Sequence, residues 1–216
     1  MALPNGSVPI TPGVGATIAT HVAGGKQYQA IVTADPDGHV RGSLPAWGLI
    51  IPPTAVGANK VYFDLFNNAA STVLRLRKLF AIVATDVAVT GVVGVRVDTM
   101  RTSAVGTGGT PAVGPTSASK TASAFWPFIP GATLPGGVTA RAVPTGGATD
   151  EAWLWPSYVF TEETNQSSHI PQFFNLLPEL TTEQSIELPT GKGLKVVQGT
   201  VASVGSVGFM VIFTIE

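Results

Sequence analysis

Val93-Gly94-Val95-Arg96-Val97-Asp98-Thr99-Met100-Arg101-Thr102 alternates apolar and polar side chains. Successive side chains of an extended strand point to opposite faces, so Val93, Val95, Val97 and Thr99 share one face and Arg96, Asp98 and Met100 the other. A segment patterned this way is a half-buried β-strand. Residues 73–84 carry the same two-residue rhythm, with Leu74, Leu76, Phe80 and Ile82 expected on one face and Arg75 and Arg77 on the other. Further strands are expected at residues 27–33, 61–66, 138–142, 152–160, 194–199 and 207–215, each bounded by Gly, Pro, Asn or Asp. The apolar run Leu49-Ile50-Ile51 is expected to stop at Pro52 and Pro53. The total is roughly nine or ten strands with frequent turns and no solenoid repeat, which is the pattern of a β-sandwich.

Composition agrees. The 216 residues include 25 Gly and 17 Pro, which leave little room for long helices. The expected fold is all-β, a jelly roll of two four-stranded antiparallel sheets spanning residues 26–216. An extended N-terminal arm, residues 1–25, precedes it. Pro4, Pro9 and Pro12 hold that arm extended, and Val8, Ile10, Val14 and Ile18, with Tyr28 just beyond, are its candidate assembly contacts. The last strand is apolar on both faces, Phe209, Val211 and Phe213 against Met210 and Ile212. Such a strand is expected to be covered twice, by the core and by an arm or a neighbouring subunit.

Charge narrows the function classes. Only 12% of residues are charged and the net charge is −1, with no basic run. Nucleic-acid binding requires clustered Lys and Arg to displace counterions, so no nucleic-acid partner is expected. No apolar run reaches the length of a membrane helix, and the opening residues lack the pattern of a secretory signal. There is no cysteine, hence no disulfide or thiolate chemistry.

Candidate chemistry is sparse. Asp35-Pro36-Asp37-Gly38-His39 places two carboxylates and an imidazole together, but a calcium loop needs Gly where Val40 stands and an acid where Ala46 stands. A surface turn is the favoured reading, and no metal or cofactor is expected. Pro189-Thr190-Gly191-Lys192-Gly193 lacks the Ser or Thr that follows the lysine of a phosphate loop and reads as a hairpin turn. His169, with Ser167, Ser168, Glu162 and Glu163 nearby, suggests a hydrolase triad, but no nucleophile elbow occurs. No catalytic residue is expected. Trp153, Trp155 and Tyr158 suit either glycan stacking or a subunit interface, with Trp153 and Trp155 expected on one face. The low-complexity stretch 103–122 is long for a compact domain, which points to a binding or assembly role.

A resemblance spans nearly the whole chain. The opening Val8-Pro9-Ile10-Thr11-Pro12-Gly13 and Gly24-Gly25-Lys26-Gln27-Tyr28-Gln29-Ala30 resemble the N-terminal segments of small tailed-bacteriophage virion proteins. Tyr62-Phe63-Asp64-Leu65-Phe66-Asn67 followed by Val73-Leu74-Arg75-Leu76-Arg77 is similar to that family's paired strands, and Leu188-Pro189-Thr190-Gly191-Lys192-Gly193-Leu194-Lys195-Val196 to its closing hairpin. The resemblance implies a virion component without catalytic residues, foremost a capsid decoration or cement protein on the head exterior, assembled in the host cytoplasm. Its expected partners are copies of itself, with a homotrimer as one form, and the major capsid protein. The alternative is a tail-fibre or baseplate component that recognises host-surface glycans.

Overall fold

The computed structural model of the protein describes residues 20–23, 26–29, 45–84, 93–114, 122–161, 173–176 and 186–216. The chain falls into two units, residues 1–44 and 45–216. In the first, β1 (Thr20–Ala23) and β2 (Lys26–Gln29) form an antiparallel hairpin with Tyr28 opposite His21. Val8, Ile10, Val14 and Ile18, the acidic turn at 35–39, and His169 with its neighbouring Ser and Glu residues lie outside the described residues.

In the second unit the described regular structure is all strand. In chain order the strands are β3 (Ala46–Ala55), β4 (Val61–Asn67), β5 (Val73–Ala84), β6 (Val93–Thr102) and β7 (Thr110–Pro111). Then come β8 (Ala124–Pro127), β9 (Val138–Ala142), β10 (Asp150–Thr161) and β11 (Phe173–Asn175). β12 (Ile186–Pro189), β13 (Lys192–Gln198) and β14 (Ser206–Ile215) complete the chain. They form two antiparallel sheets. One is ordered β10-β6-β13-β4-β9-β7, the other β11-β5-β14-β3-β8, with β12 pairing beside β11 along the same edge of β5.

Setting aside residues 103–149, the path is that of a jelly roll. β3, β14, β5 and the shared β11/β12 edge make one sheet; β4, β13, β6 and β10 make the other. The two four-stranded sheets expected from sequence are therefore the centre of the fold but not its full extent. Between β6 and β10 the chain adds β8 outside β3 and β9 with β7 outside β4. These additions pair backbone groups that would otherwise line two bare sheet edges.

The core fills the space between the sheets. Trp47, Leu49, Leu79, Val211 and Phe213 from one sheet meet Phe63, Leu65, Val97, Leu194 and Val196 from the other, all buried. Phe209 lies between Tyr62 and Phe63, with ring centroids 5.0 and 5.5 Å away, and Phe125 meets Phe213 edge-on at 6.3 Å. Each such ring contributes about 1.5–3 kcal/mol by leaving water. The alternation read in residues 93–102 holds: Val95, Val97 and Thr99 are buried, while Arg96, Asp98 and Met100 face outward.

Elsewhere β-bulges reverse the side-chain phase. In β5 the pairing with β14 steps from Lys78 to Leu76, leaving Arg77 as the extra residue. Leu74 and Leu76 therefore share the core with Leu79 and Ala81, and Phe80 and Ile82 turn to the outer face, contrary to the alternation expected from sequence. In β3 the strand does not stop at Pro52 and Pro53 but runs through them to Ala55, because the bulge opposite Gly208 takes up residues that cannot donate to a ladder. A Cβ at Gly208 would stand 2.8 Å from the carbonyl oxygen of Ile51 and 2.9 Å from the nitrogen of Pro53, so this crossing requires glycine. The turn at Thr190-Gly191 corrects another expectation. It is tight, with Gly191 at φ 80°, but it is not a hairpin. It carries the chain from β12 in one sheet to β13 in the other.

Candidate functional site

The two sheets present different outer faces. Over the β4 side of the first sheet the chain folds back on itself. Thr107 bridges Gly146, the Ser103 N–H donates to the Thr149 carbonyl at 2.9 Å, and the Gly106 N–H donates to the Asp64 carboxylate. Asp64 is buried by this cover, with its second oxygen unpartnered among the described residues. Loss of water raises its pKa above the ordinary carboxylate range; the Gly106 hydrogen bond and the charges of Lys195 and Arg141 offset part of the rise. Beside it Lys195 pairs with Asp150 at 2.6 Å and Lys192 pairs with Glu151. Residues 103–114 of the low-complexity stretch are thus held by backbone pairing, with Gly106 buried and most of the others exposed, and residues 115–121 lie outside the described residues.

The rest of this face, over β6, β10 and β13, is an open groove of about 630 Å³. Its floor is the outward row of β6, Arg96, Asp98 and Met100, and its far wall is the turn of residues 199–201. β10 supplies the near wall with Trp153, 56% exposed, and Tyr158, 58% exposed. Two interactions hold the Trp153 ring, and a third ties its two partners to each other. Its Nε1–H donates to Asp98 Oδ1 at 3.2 Å, the Arg96 guanidinium lies 5.8 Å from the ring centroid, and Arg96 Nε and Nη2 both donate to the same Oδ1 at 3.1 and 3.0 Å. Gln198 holds the far wall. Its Nε2–H donates to the Val201 carbonyl at 2.9 Å, while its Oε1 accepts from the Tyr62 hydroxyl and the Gly57 N–H, each at 2.7 Å. Burial raises the Tyr62 pKa, so that hydroxyl stays protonated and donates.

Trp155 is not part of this groove. The pairing of β10 with β6 slips between Trp153, opposite Met100, and Trp155, opposite Thr99. Leu154 is the extra residue, and the bulge puts Trp155 on the inner face, against the core. The expectation that Trp153 and Trp155 share a face fails for that reason; Tyr158, opposite Arg96, joins Trp153 instead. The alternation in sequence puts Arg96 and Asp98 on the outward face of the strand without marking them as a site. Their i, i+2 spacing on the outer row was the available signal.

The second sheet's outer face carries an apolar patch, bordered on β5 by Lys78, whose Nζ lies 5.8 Å from the Phe80 ring centroid, and by Arg77, which donates to Thr214 Oγ1 at 3.1 Å. Trp126 and Phe128 from the β8 region, Ile129, and Ile50 of β3 are exposed, with Phe128 at 55%. Across the ladder Ile50 stands beside Met210 and Met210 beside Phe80, while Ile212 lies one step along. Phe128 rests on Gly48, where a Cβ would be 3.5 Å from its ring. The expectation that the final strand is apolar on both faces is met, since Met210 and Ile212 belong to this outer patch and Phe209, Val211 and Phe213 to the core. Among the described residues no three His, Cys, Asp or Glu side chains gather as a metal site. Comparison with protein-family models, curated proteins and solved structures finds no match.

Proposed function

We propose that the protein is a structural subunit of a bacteriophage particle, a decoration or cement protein that seats its second sheet against the head. The apolar patch on the outer face of β8, β3 and β14, with Phe80 of β5 at its border, carries this reading. Exposed aromatic and aliphatic groups gathered on one face are costly in water and mark a surface that another protein covers. Trp and Phe are the residue types that dominate the buried centre of such contacts. The phage resemblance in the strand and turn segments supplies the kind of assembly, and residues 1–44 supply additional chain for contacts with neighbouring copies or with the major capsid protein.

The test is incorporation. Tagged full-length chain and a Trp126→Ser/Phe128→Ser variant are expressed during particle assembly, and purified particles are immunoblotted and imaged with a gold label. The parent is expected on the head exterior. The variant, losing two exposed rings and little of the core, is expected to melt within a few degrees of the parent and to incorporate about tenfold less well, as a hot-spot pair should. Equal incorporation of the two chains, or absence of the parent from particles, would defeat the proposal.

A further inference from the structure

We infer that the groove over β6, β10 and β13 binds a neutral sugar, a hexopyranoside carried on an oligosaccharide. This inference does not rest on the assembly reading, because the groove lies on the first sheet and the apolar patch on the second.

A pyranose ring offers two chemistries at once: a flat array of C–H groups, and vicinal hydroxyls that each donate and accept. The groove supplies a partner for each. Trp153 presents an exposed indole whose orientation is already set by its bond to Asp98 and by Arg96, so little freedom remains to be lost when a ring stacks on it. The three hydrogen bonds described at Asp98 all reach Oδ1, which leaves Oδ2 as an acceptor without a partner among the described residues. Arg96 has used Nε and Nη2 on Asp98 and keeps Nη1 to donate. A carboxylate oxygen and a guanidinium N–H side by side match two adjacent hydroxyls. Tyr158 stands opposite Arg96 on the same outward row, roughly 13 Å along the strand from Trp153 at about 3.3 Å per residue, so a second ring unit has a second aromatic face.

Charge selects within the class. Among the described residues Arg96 is the only cationic side chain lining the groove, and Asp98 neutralises it at 3.0 Å. An acidic sugar or a phosphodiester therefore finds no surplus positive charge. A peptide adding to β10, the terminal strand of this sheet among the described residues, would need a regular ladder, and the bulges at Glu151 and Leu154 interrupt it. The far wall is prepared before any ligand arrives, with Gln198 fixing Val201 and the Gly199 N–H donating to the Arg96 carbonyl at 3.0 Å.

The test titrates the full chain with neutral tri- to pentasaccharides of glucose, mannose, galactose and N-acetylglucosamine, each to about 10 mM, following the Trp153 indole N–H by NMR with calorimetry alongside. At least one oligosaccharide is expected to shift that resonance and to bind with a Kd of about 1 mM or tighter. Trp153→Ala and Asp98→Asn are each expected to weaken it about tenfold or more, with Trp126→Ala on the opposite sheet leaving it unchanged. Tyr158→Ala, at an exposed position, gives a second variant should Asp98→Asn disturb the fold. Failure of every oligosaccharide to move the indole resonance would overturn the inference, as would full affinity in Trp153→Ala, or a peptide or single-stranded oligonucleotide filling the groove where no sugar does.

Discussion

Gly208→Ala is the substitution that most directly interrogates how this sandwich sets its faces. Gly208 lies in β14 where β3 bulges through Pro52 and Pro53. Its φ lies outside the left-handed range, so the whole cost of a methyl group there is steric. The added Cβ would stand 2.8 Å from the Ile51 carbonyl oxygen, 2.9 Å from the Pro53 nitrogen and 3.1 Å from the Pro53 Cδ. Comfortable C···O contacts begin at roughly 3.3 Å, so the two strands must part by about half an ångström at a point where both are backbone and neither side can rotate away. Overpacking of this kind costs about 1–3 kcal/mol, and the upper end applies because Val207 and Phe209, on either side, are fully buried. For a domain of this size that is a fall in Tm of about 6–12 °C, with an unchanged denaturant slope. Urea and thermal unfolding followed by tryptophan fluorescence measure both. Gly191→Ala is the control: its Cβ meets nothing within 4 Å, and the only penalty is the φ of 80°. That penalty is about 1–2 kcal/mol. A Gly208→Ala protein as stable as its parent, or one more stable than Gly191→Ala, would mean that β3 and β14 do not cross as described.

Two further outcomes follow from the buried polar groups. Because the Asp64 pKa is raised, this carboxyl favours the folded state most at pH below its ordinary value of 3.8, and the contribution is lost as pH rises through the higher folded value. Asp64→Asn removes the titration, so its stability relative to the parent should climb as pH rises above 3.8 in urea unfolding; a difference that stays constant with pH would contradict the burial of Asp64. Gln198→Leu strands the buried Tyr62 hydroxyl and the Gly57 N–H and frees Val201. It should cost about 2–4 kcal/mol, and adding Tyr62→Phe should recover part of that, whereas strict additivity in the double-mutant cycle would show the two groups to be uncoupled.

Much of this molecule is legible along the chain. The alternation in residues 93–102 correctly divides Val95, Val97 and Thr99 from Arg96, Asp98 and Met100, since a strand without a bulge keeps its period of two throughout. The doubly apolar final strand is legible for the same reason. Alternation and composition alone imply that the chain makes strands, that they pack as a sandwich, and that β14 is apolar on both faces. The tertiary structure alone decided where the period breaks. One extra residue, Arg77 in β5 or Leu154 in β10, reverses every side chain beyond it, and it can be recognised only against the partner strand whose residues it fails to match. Those two bulges send Phe80 to the apolar outer patch and Trp155 to the core. They leave Trp153 at the groove beside Arg96 and Asp98, because side-chain direction in a sheet belongs to the pairing and not to the single strand.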